Sequence, residues 1–522
     1  MNNKRILFLI LLVTIIIYAI VIYYIPSFIT DDFLIFSEIK TNPSIPILLN
    51  SKSEFFLFLR PVSYLSFWID YHLFNTNAVF MKIHSLIYLL SSVILMYLIL
   101  QMLSKKFNWD IPRYLIYLSL IFFAVHFDNM TSVFWIADRT EILSFFFYLL
   151  VIYYFLRTYK KNTYSIAIAL TFIFILASLS KQSVVHLPFI IIILYFSLQK
   201  YKNIKITKYV VSSFYLLFVA MFFLVIFNLL CAQSDSSIIL THLWKKPFAA
   251  IGTLLYALNP FTGDFIYNFF LVHKLIAIIF TIFIFLGLGY KLYSSDKLQS
   301  FLKKIFPFLL ILMISFIPRL FVVGGRRLNT IQLFWIIVVG LASWRYSTRK
   351  YVQKGITVFL SFVILLNILT SYLDLQHEIE LQHLRKNRIT NLNILTKEFN
   401  VEVIAAPDII LIPFQLYYYR MNTFGKANIK HTSIHYRATS YLEDYVIKKR
   451  ILCNRNGNFI TITTLSNKFY LDYLHRMESE IVFKIPTLTG RQGFKEIKYR
   501  VIKNEKLNKW IYFDGTKWEF IR

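Results

Sequence analysis

Cysteine, glycine, proline and acidic side chains are all scarce in this chain, and each shortage closes off a class of protein. The two cysteines among 522 residues, Cys231 and Cys453, stand far apart with no metal-ligand spacing. Neither a disulfide framework nor a thiolate metal site is expected, and no bridge between the two is expected either. Thirteen glycines and thirteen prolines leave no Gly/Ser-rich or Pro-rich linker, and no internal repeat stands out. Carboxylates are outnumbered, 27 Asp and Glu against 56 Lys and Arg, for a formal net charge of +29. The cations do not form one continuous patch of the kind that binds nucleic acid. They fall in short clusters between apolar runs, which is how orientation in a bilayer is encoded, so no nucleic-acid partner is expected.

What is abundant is apolar. Hydrophobic residues make up 57% of the chain and aromatic ones 18%, with a mean hydropathy of +0.58. A soluble globule has no interior able to hide that much apolar surface, so the chain reads as a polytopic protein of the lipid bilayer. Spans are expected at Ile6–Ile25, Ile83–Met102, Arg113–Val125, Glu141–Leu156, Ser165–Ser180, Val184–Leu198, Tyr209–Leu230, Leu271–Tyr290, Ile305–Val323, Thr330–Ser343 and Ile356–Thr370, about eleven in all with some short or tilted. Lys4–Arg5, Lys105–Lys106, Arg157 with Lys160 and Lys161, and the later clusters at Lys200–Lys208, Lys291–Lys304 and Arg345–Lys354 all fall on one side, the cytoplasmic one. An odd count then puts the carboxyl end outside. The first span runs into Tyr23–Tyr24–Ile25–Pro26 without a small-residue cleavage site and is read as a retained signal anchor. Pro247–Leu258 is too short for a clear span and is read as re-entrant or interfacial.

Beyond Thr370 the composition changes. Short β-rich runs appear at Val401–Ala405 and Ile409–Tyr419, and turn signals at Asn456–Gly457 and Asp514–Gly515; Trp510–Phe513 and Lys517–Ile521 around the latter predict a hairpin. The expected fold is therefore an all-α polytopic membrane bundle over residues 1–372 plus a strand-rich mixed α/β extracytoplasmic domain over 373–522, joined by the helical-looking stretch Asp374–Leu395.

Acids in the membrane portion gather on the outward side: Asp31, Asp32, Glu38, Glu54, Asp70, Asp128, Asp138, Glu141 and Asp264, with Arg60, Arg139, Lys181, Arg326 and Arg327 as basic partners. Adjacent carboxylates such as Asp31–Asp32 at a membrane surface are costly to desolvate, so their expected use is chemistry on a substrate that lies there. A cavity that holds an anionic phosphate and activates a hydroxyl needs both signs close together.

Four blocks carry a family resemblance. Arg60–Pro61–Val62–Ser63 and its continuation to Phe74, with Asn77 and His84, resembles the first-loop amphipathic region of GT-C glycosyltransferases, in particular the protein O-mannosyltransferase-like group that includes the transmembrane and tetratricopeptide-repeat mannosyltransferases. Val133–Glu141 is similar to the second-loop block of that group. Leu179–Ser180–Lys181–Gln182 with Leu187–Pro188 is similar to its third-loop block, and Gly325–Arg326–Arg327–Leu328 to a later basic block. The resemblance implies about eleven to thirteen spans, two juxtamembrane helices in the first external loop, a polyprenyl-phosphate sugar donor and inverting transfer to an acceptor; low Gly and Ala use beside abundant Lys, Asn, Ile and Phe points to an AT-rich bacterial genome, hence to an envelope acceptor and a bacterial cytoplasmic membrane. The resemblance places Asp31 at the catalytic position, with Asp32 in support. Which of the two is the base stays open.

Direct displacement at an anomeric carbon moves charge from nucleophile to leaving group, so it needs a carboxylate at the acceptor hydroxyl and cations at the departing phosphate. Arg60, Arg139, Lys181, Arg326 and Arg327 are the candidates for the phosphate, and Trp68, Asp138 and Glu141 for other substrate contacts. Gln182 departs from the family pattern, in which an acid is common there; no cofactor or metal is assigned, with a divalent ion as the alternative. Simpler readings stand beside these: Asp138–Arg139–Glu141 as a helix cap and intrahelical ion pair, Arg326–Arg327 as snorkelling cations, Trp68 and Trp135 as an interfacial belt, and His84, His126 and His186 as hydrogen-bonded packing residues. A polysaccharide polymerase or a lipid-linked sugar flippase is the alternative function; neither needs an acidic pair after the first span followed by an Arg-Pro-Val-Ser helix.

Overall fold

The computed structural model describes residues 3–26, 60–75, 77–108, 111–159, 163–202 and 208–231, isolated positions in 32–39, 307–314 and 353–379, and strands between 401 and 520. The chain divides into two compact units, Met1–Ser27 with Pro43–Glu378 and Phe28–Asn42 with Ile379–Arg522.

The first unit is mostly helical where described. Its helices are α1 (Asn3–Tyr24), α2 (Pro61–Phe74), α3 (Ala78–Lys106), α4 (Arg113–Val125), α5 (Phe127–Phe134), α6 (Arg139–Thr158), α7 (Tyr164–Ser180), α8 (Leu187–Lys202) and α9 (Lys208–Cys231), with 3-10 turns at Ile136–Asp138 and Gln182–Val184. Four segments are long and apolar enough to cross a membrane: Arg5–Tyr24, Ala78–Lys106, Ile136–Thr158 and Gln182–Gln199. Arg113–Val125, Tyr164–Ser180 and Val210–Ile226 are shorter apolar helices. This is a membrane protein. Of the remaining expected spans, 271–290, 305–323 and 330–343 lie wholly or largely outside the described residues, as does 247–258, while 356–370 is helical at the positions described.

The packing order explains which helices read as apolar all round. α6 packs against both α3 and α7, α7 against α9, α4 against α3, and α1 against α3 and α4. The α6 span is accordingly 72% buried and the α1 span 28%. α1 turns Ile10, Thr14, Tyr18 and Val21 inward at helical spacing and leaves Phe8, Leu12, Ile16 and Ile20 exposed. A row of bare apolar side chains of that length is stable against hydrocarbon and costly against water.

Helix ends in such a bundle leave carbonyls that lipid cannot satisfy. Here other segments supply the donors. At the end of α4, Tyr18 Oη donates to the Ala124 carbonyl (2.9 Å), Asn129 Nδ2 to that of Phe123 (2.5 Å) and Ser371 Oγ to that of Val125 (3.3 Å). Just past α1, the fully buried Lys82 donates Nζ to the Ile25 carbonyl at 2.6 Å. At the end of α7, Ser63 Oγ donates to the Ser180 carbonyl at 2.9 Å. Asn77 caps α3 by accepting from the Val79 and Phe80 N–H groups.

In the second unit the described residues include strands β1 (Val401–Pro407), β2 (Ile434–Ala438), β3 (Ile451–Asn456), β4 (Phe459–Thr464), β5 (Phe469–Tyr473), β6 (Ile481–Pro486), β7 (Phe494–Arg500), β8 (Lys509–Phe513) and β9 (Trp518–Phe520). β1 runs parallel to β2 and β8. β3 and β4 pair antiparallel with Asn456 opposite Phe459, so Asn456–Gly457 lies at their turn. β8 and β9 pair antiparallel with Phe513 opposite Trp518, around Asp514–Gly515. The run 409–419 lies outside the described residues.

Candidate functional site

Helix α2 turns the usual amphipathic arrangement inside out. Ser63, Ser66, Phe67 and Asp70, spaced three and four apart, are buried, whereas Leu65, Ile69 and Leu73 are exposed. Pro61 occupies its first turn, where a missing N–H costs nothing, so the helix starts directly after Arg60. At 14 residues it spans only about 21 Å, too little to cross a bilayer. A short helix that is polar inward and apolar outward suits the membrane interface, with its outer face against acyl chains.

The inward face meets α3, α6 and α7. The carboxylate of Asp70, fully enclosed, forms an ion pair with Arg139, whose Nη1 lies 2.5 Å from Oδ2, and its Oδ1 lies 2.5 Å from His84 Nδ1. Arg139, at the first position of α6 and fully buried, also donates Nε to Ser85 Oγ (2.8 Å), Nη1 to Ser66 Oγ (3.1 Å) and Nη2 to the Met81 carbonyl (2.6 Å), with its guanidinium carbon 5.3 Å from the Phe67 ring centre. A buried guanidinium is tolerable only with a counter-charge and nearly every N–H answered, and this one has both. It ties α2, α3 and α6 into one piece.

A second ion pair lies two residues further along α6. Lys181 Nζ contacts Glu141 Oε1, both groups largely buried. Next to Lys181, Gln182 Oε1 accepts from Arg60 Nε at 3.3 Å. The amide thus stands where an acid was expected from the resemblance, and it takes the hydrogen bond of the cation at the start of α2. Asp138, buried, accepts from Ser132 Oγ at 3.0 Å on Oδ2.

The cap-and-pair reading of Asp138–Arg139–Glu141 is not the observed arrangement. Asp138 makes no side-chain cap bond to α6; Arg139 pairs with Asp70 and Glu141 with Lys181. Trp68, half-buried, stacks on the exposed His72 with ring centres 4.0 Å apart. His126, fully buried at the end of α4, has its pKa pushed down to about 3 by burial, so its ring is neutral. Asp32, in the second unit, is fully buried. Asp31, Arg326 and Arg327 lie outside the described residues. Among the described residues no group of three or more His, Cys, Asp or Glu side chains is arranged to hold a metal ion.

Asp70 and His84 were not among the expected site residues, although both lie in the first block of the resemblance. The signal was the polar spacing of Ser63, Ser66 and Asp70 within an otherwise apolar helix, which is the wrong way round for a helix facing water. Set against protein-family models and against curated proteins, the sequence matches none.

Proposed function

We propose that this protein is a glycosyltransferase of a bacterial cytoplasmic membrane, moving a sugar from a polyprenyl-phosphate donor to an envelope acceptor on the outer face by inverting direct displacement. In this reading the chain crosses the membrane about eleven times, its amino end is cytoplasmic, and residues 373–522 form a strand-rich domain outside. The supporting observation is convergence: three blocks singled out by the resemblance, more than a hundred residues apart at the extremes, meet through Arg60–Gln182, Ser63–Ser180, Asp70–Arg139 and Glu141–Lys181. Sequence order alone does not require those contacts.

The roles follow from charge and from the resemblance. Asp31 orients or deprotonates the acceptor hydroxyl and Asp32 supports it. As the acceptor oxygen attacks the anomeric carbon, the bond to the donor phosphate breaks and its electron pair leaves on the phosphate, where cations are needed. Arg60, Lys181, Arg326 and Arg327 serve there. Arg139 contributes from behind, by holding α2 and the carboxylate of Asp70 in place, while Trp68, Asp138 and Glu141 bound the sugar and acceptor side.

The test is transfer in vesicles carrying the full-length protein and a defined polyprenyl-phosphate sugar, the sugar being named first by mass spectrometry of lipid-linked intermediates that accumulate without the protein. Asp31→Asn, which removes the charge at nearly constant volume, should abolish transfer with normal expression. Full activity in that variant overturns the assignment. Loss only in Asp32→Asn exchanges the two roles.

A further inference from the structure

The network around Asp70 has one edge that the transfer chemistry does not use. His84 sits in the second turn of α3, about 9 Å in from its outer end. Its Nδ1 side is fixed by Asp70 at 2.5 Å, and its side chain is 25% exposed. The neighbours along α3 on that side, Phe80, Ile83 and Ile87, are exposed apolar residues, and the Tyr88 ring centre lies 4.9 Å away, so the ring borders the apolar outer face of the helix. Its Nε2 has no partner among the described residues. Hydrocarbon offers nothing to a ring N–H, and an ionisable side chain on a lipid-facing strip is tolerated where a polar ligand arrives.

The charges indicate the sign of that ligand. Asp70 is already answered by Arg139. With His84 in its protonated form the three groups sum to one net positive charge, which suits an anion at Nε2–H. Depth and direction indicate its source. A group reached sideways from the bilayer, one to two turns below the outer end of a helix, lies where lipid phosphates lie.

We propose that His84, oriented by Asp70, binds the phosphate headgroup of a membrane lipid that enters between α2 and α3 from the bilayer. Nε2 donates to a phosphate oxygen; no bond is made or broken there. The inference rests on the transferase reading only for the identity of the lipid, a polyprenyl phosphate.

Full-length protein in nanodiscs of zwitterionic lipid is titrated with undecaprenyl phosphate carrying no sugar, and binding is followed by native mass spectrometry. The wild type should bind it and should not bind undecaprenol, which has the same chain without the phosphate. His84→Gln keeps a donor for Asp70 and removes the charged donor, and should weaken binding about tenfold with an unchanged unfolding midpoint. His84→Leu should weaken it at least as much. Wild-type affinity in His84→Gln, or equal binding of undecaprenol, overturns the proposal. Displacement of the bound lipid by millimolar inorganic phosphate would make this a site for soluble phosphate and equally overturns it. A wild type that binds undecaprenyl phosphate yet transfers no sugar counts against the transferase alone, and a His84→Gln variant with wild-type donor KM counts against the His84 site alone.

Discussion

The two ends of helix α3 handle positive charge in opposite ways. At its amino-terminal end Lys82 is fully buried on the Ile25 carbonyl, and the guanidinium of Arg139, equally buried, is held against Asp70, Ser85 and Met81. At the other end Lys105 is exposed, and Lys106 lies 4.0 Å from the centre of the Tyr159 ring; nearby, the exposed Arg157 donates to Tyr153 Oη at 3.1 Å. One set of cations is enclosed among carboxylates and carbonyls, the other rests on aromatic rings beside water. Cations on rings at an interface need nothing beyond the tendency of Lys and Arg to stay on one side of a bilayer. Cations enclosed with carboxylates cost desolvation, so they persist where structure or chemistry depends on them. The comparison separates basic residues that report orientation from basic residues that build a site.

The largest effect on folding should come from breaking the enclosed set. Arg139→Ala leaves Asp70 charged and buried beside a cavity, and should destabilise the protein by about 3–5 kcal/mol, read as a lowered unfolding midpoint in detergent. Removing both charges together in Asp70→Asn/Arg139→Met should recover a large part of that loss. If Arg139→Ala unfolds at the wild-type midpoint, the enclosed cations are no more structural than those at the other end of α3 and the contrast fails.

Acid should act next, through His126. Its ring is held neutral in the fold, with a pKa pushed down to about 3 from an ordinary 6.5. Below pH 6.5 the unfolded chain takes up a proton that the folded one does not bind until about pH 3, so stability is complete above the unfolded value and declines as pH falls through this window. At pH 5 the loss should be about 2 kcal/mol. His126→Gln should flatten that part of the stability profile; an unchanged acid slope would show that other groups set it.

Much of this arrangement was legible in the sequence. The expected spans from Ile6–Ile25 to Tyr209–Leu230 coincide with apolar helices, because a run that must satisfy its own backbone in lipid has few alternatives to a helix. Pro61 marked the start of α2, whereas α3 begins at Ala78, five residues before the expected span. Partners were harder to read than positions. Arg139 lies two residues from Glu141, yet side chains two apart on a helix point to different faces, and its carboxylate comes from Asp70, on another helix. Glu141 likewise finds Lys181, 40 residues away. Long-range pairing of this kind depends on which helices touch, and hydropathy is silent on that.

The smallest effect should be at the carboxyl-terminal end of α3, and it is the sharpest check on the comparison. Lys106→Ala removes a cation from the face of Tyr159, a contact worth about 0.5–1 kcal/mol at an exposed site. The unfolding midpoint should scarcely move. The orientation proposed for the chain should also hold, since the sequence keeps Lys105, Arg157, Lys160 and Lys161. Labelling of a cysteine introduced at Lys202 from outside and inside sealed vesicles reads the topology directly, while thermal unfolding reads the stability. A midpoint lowered as far as that of Arg139→Ala would place Lys106 among the structural cations and erase the distinction between the two ends.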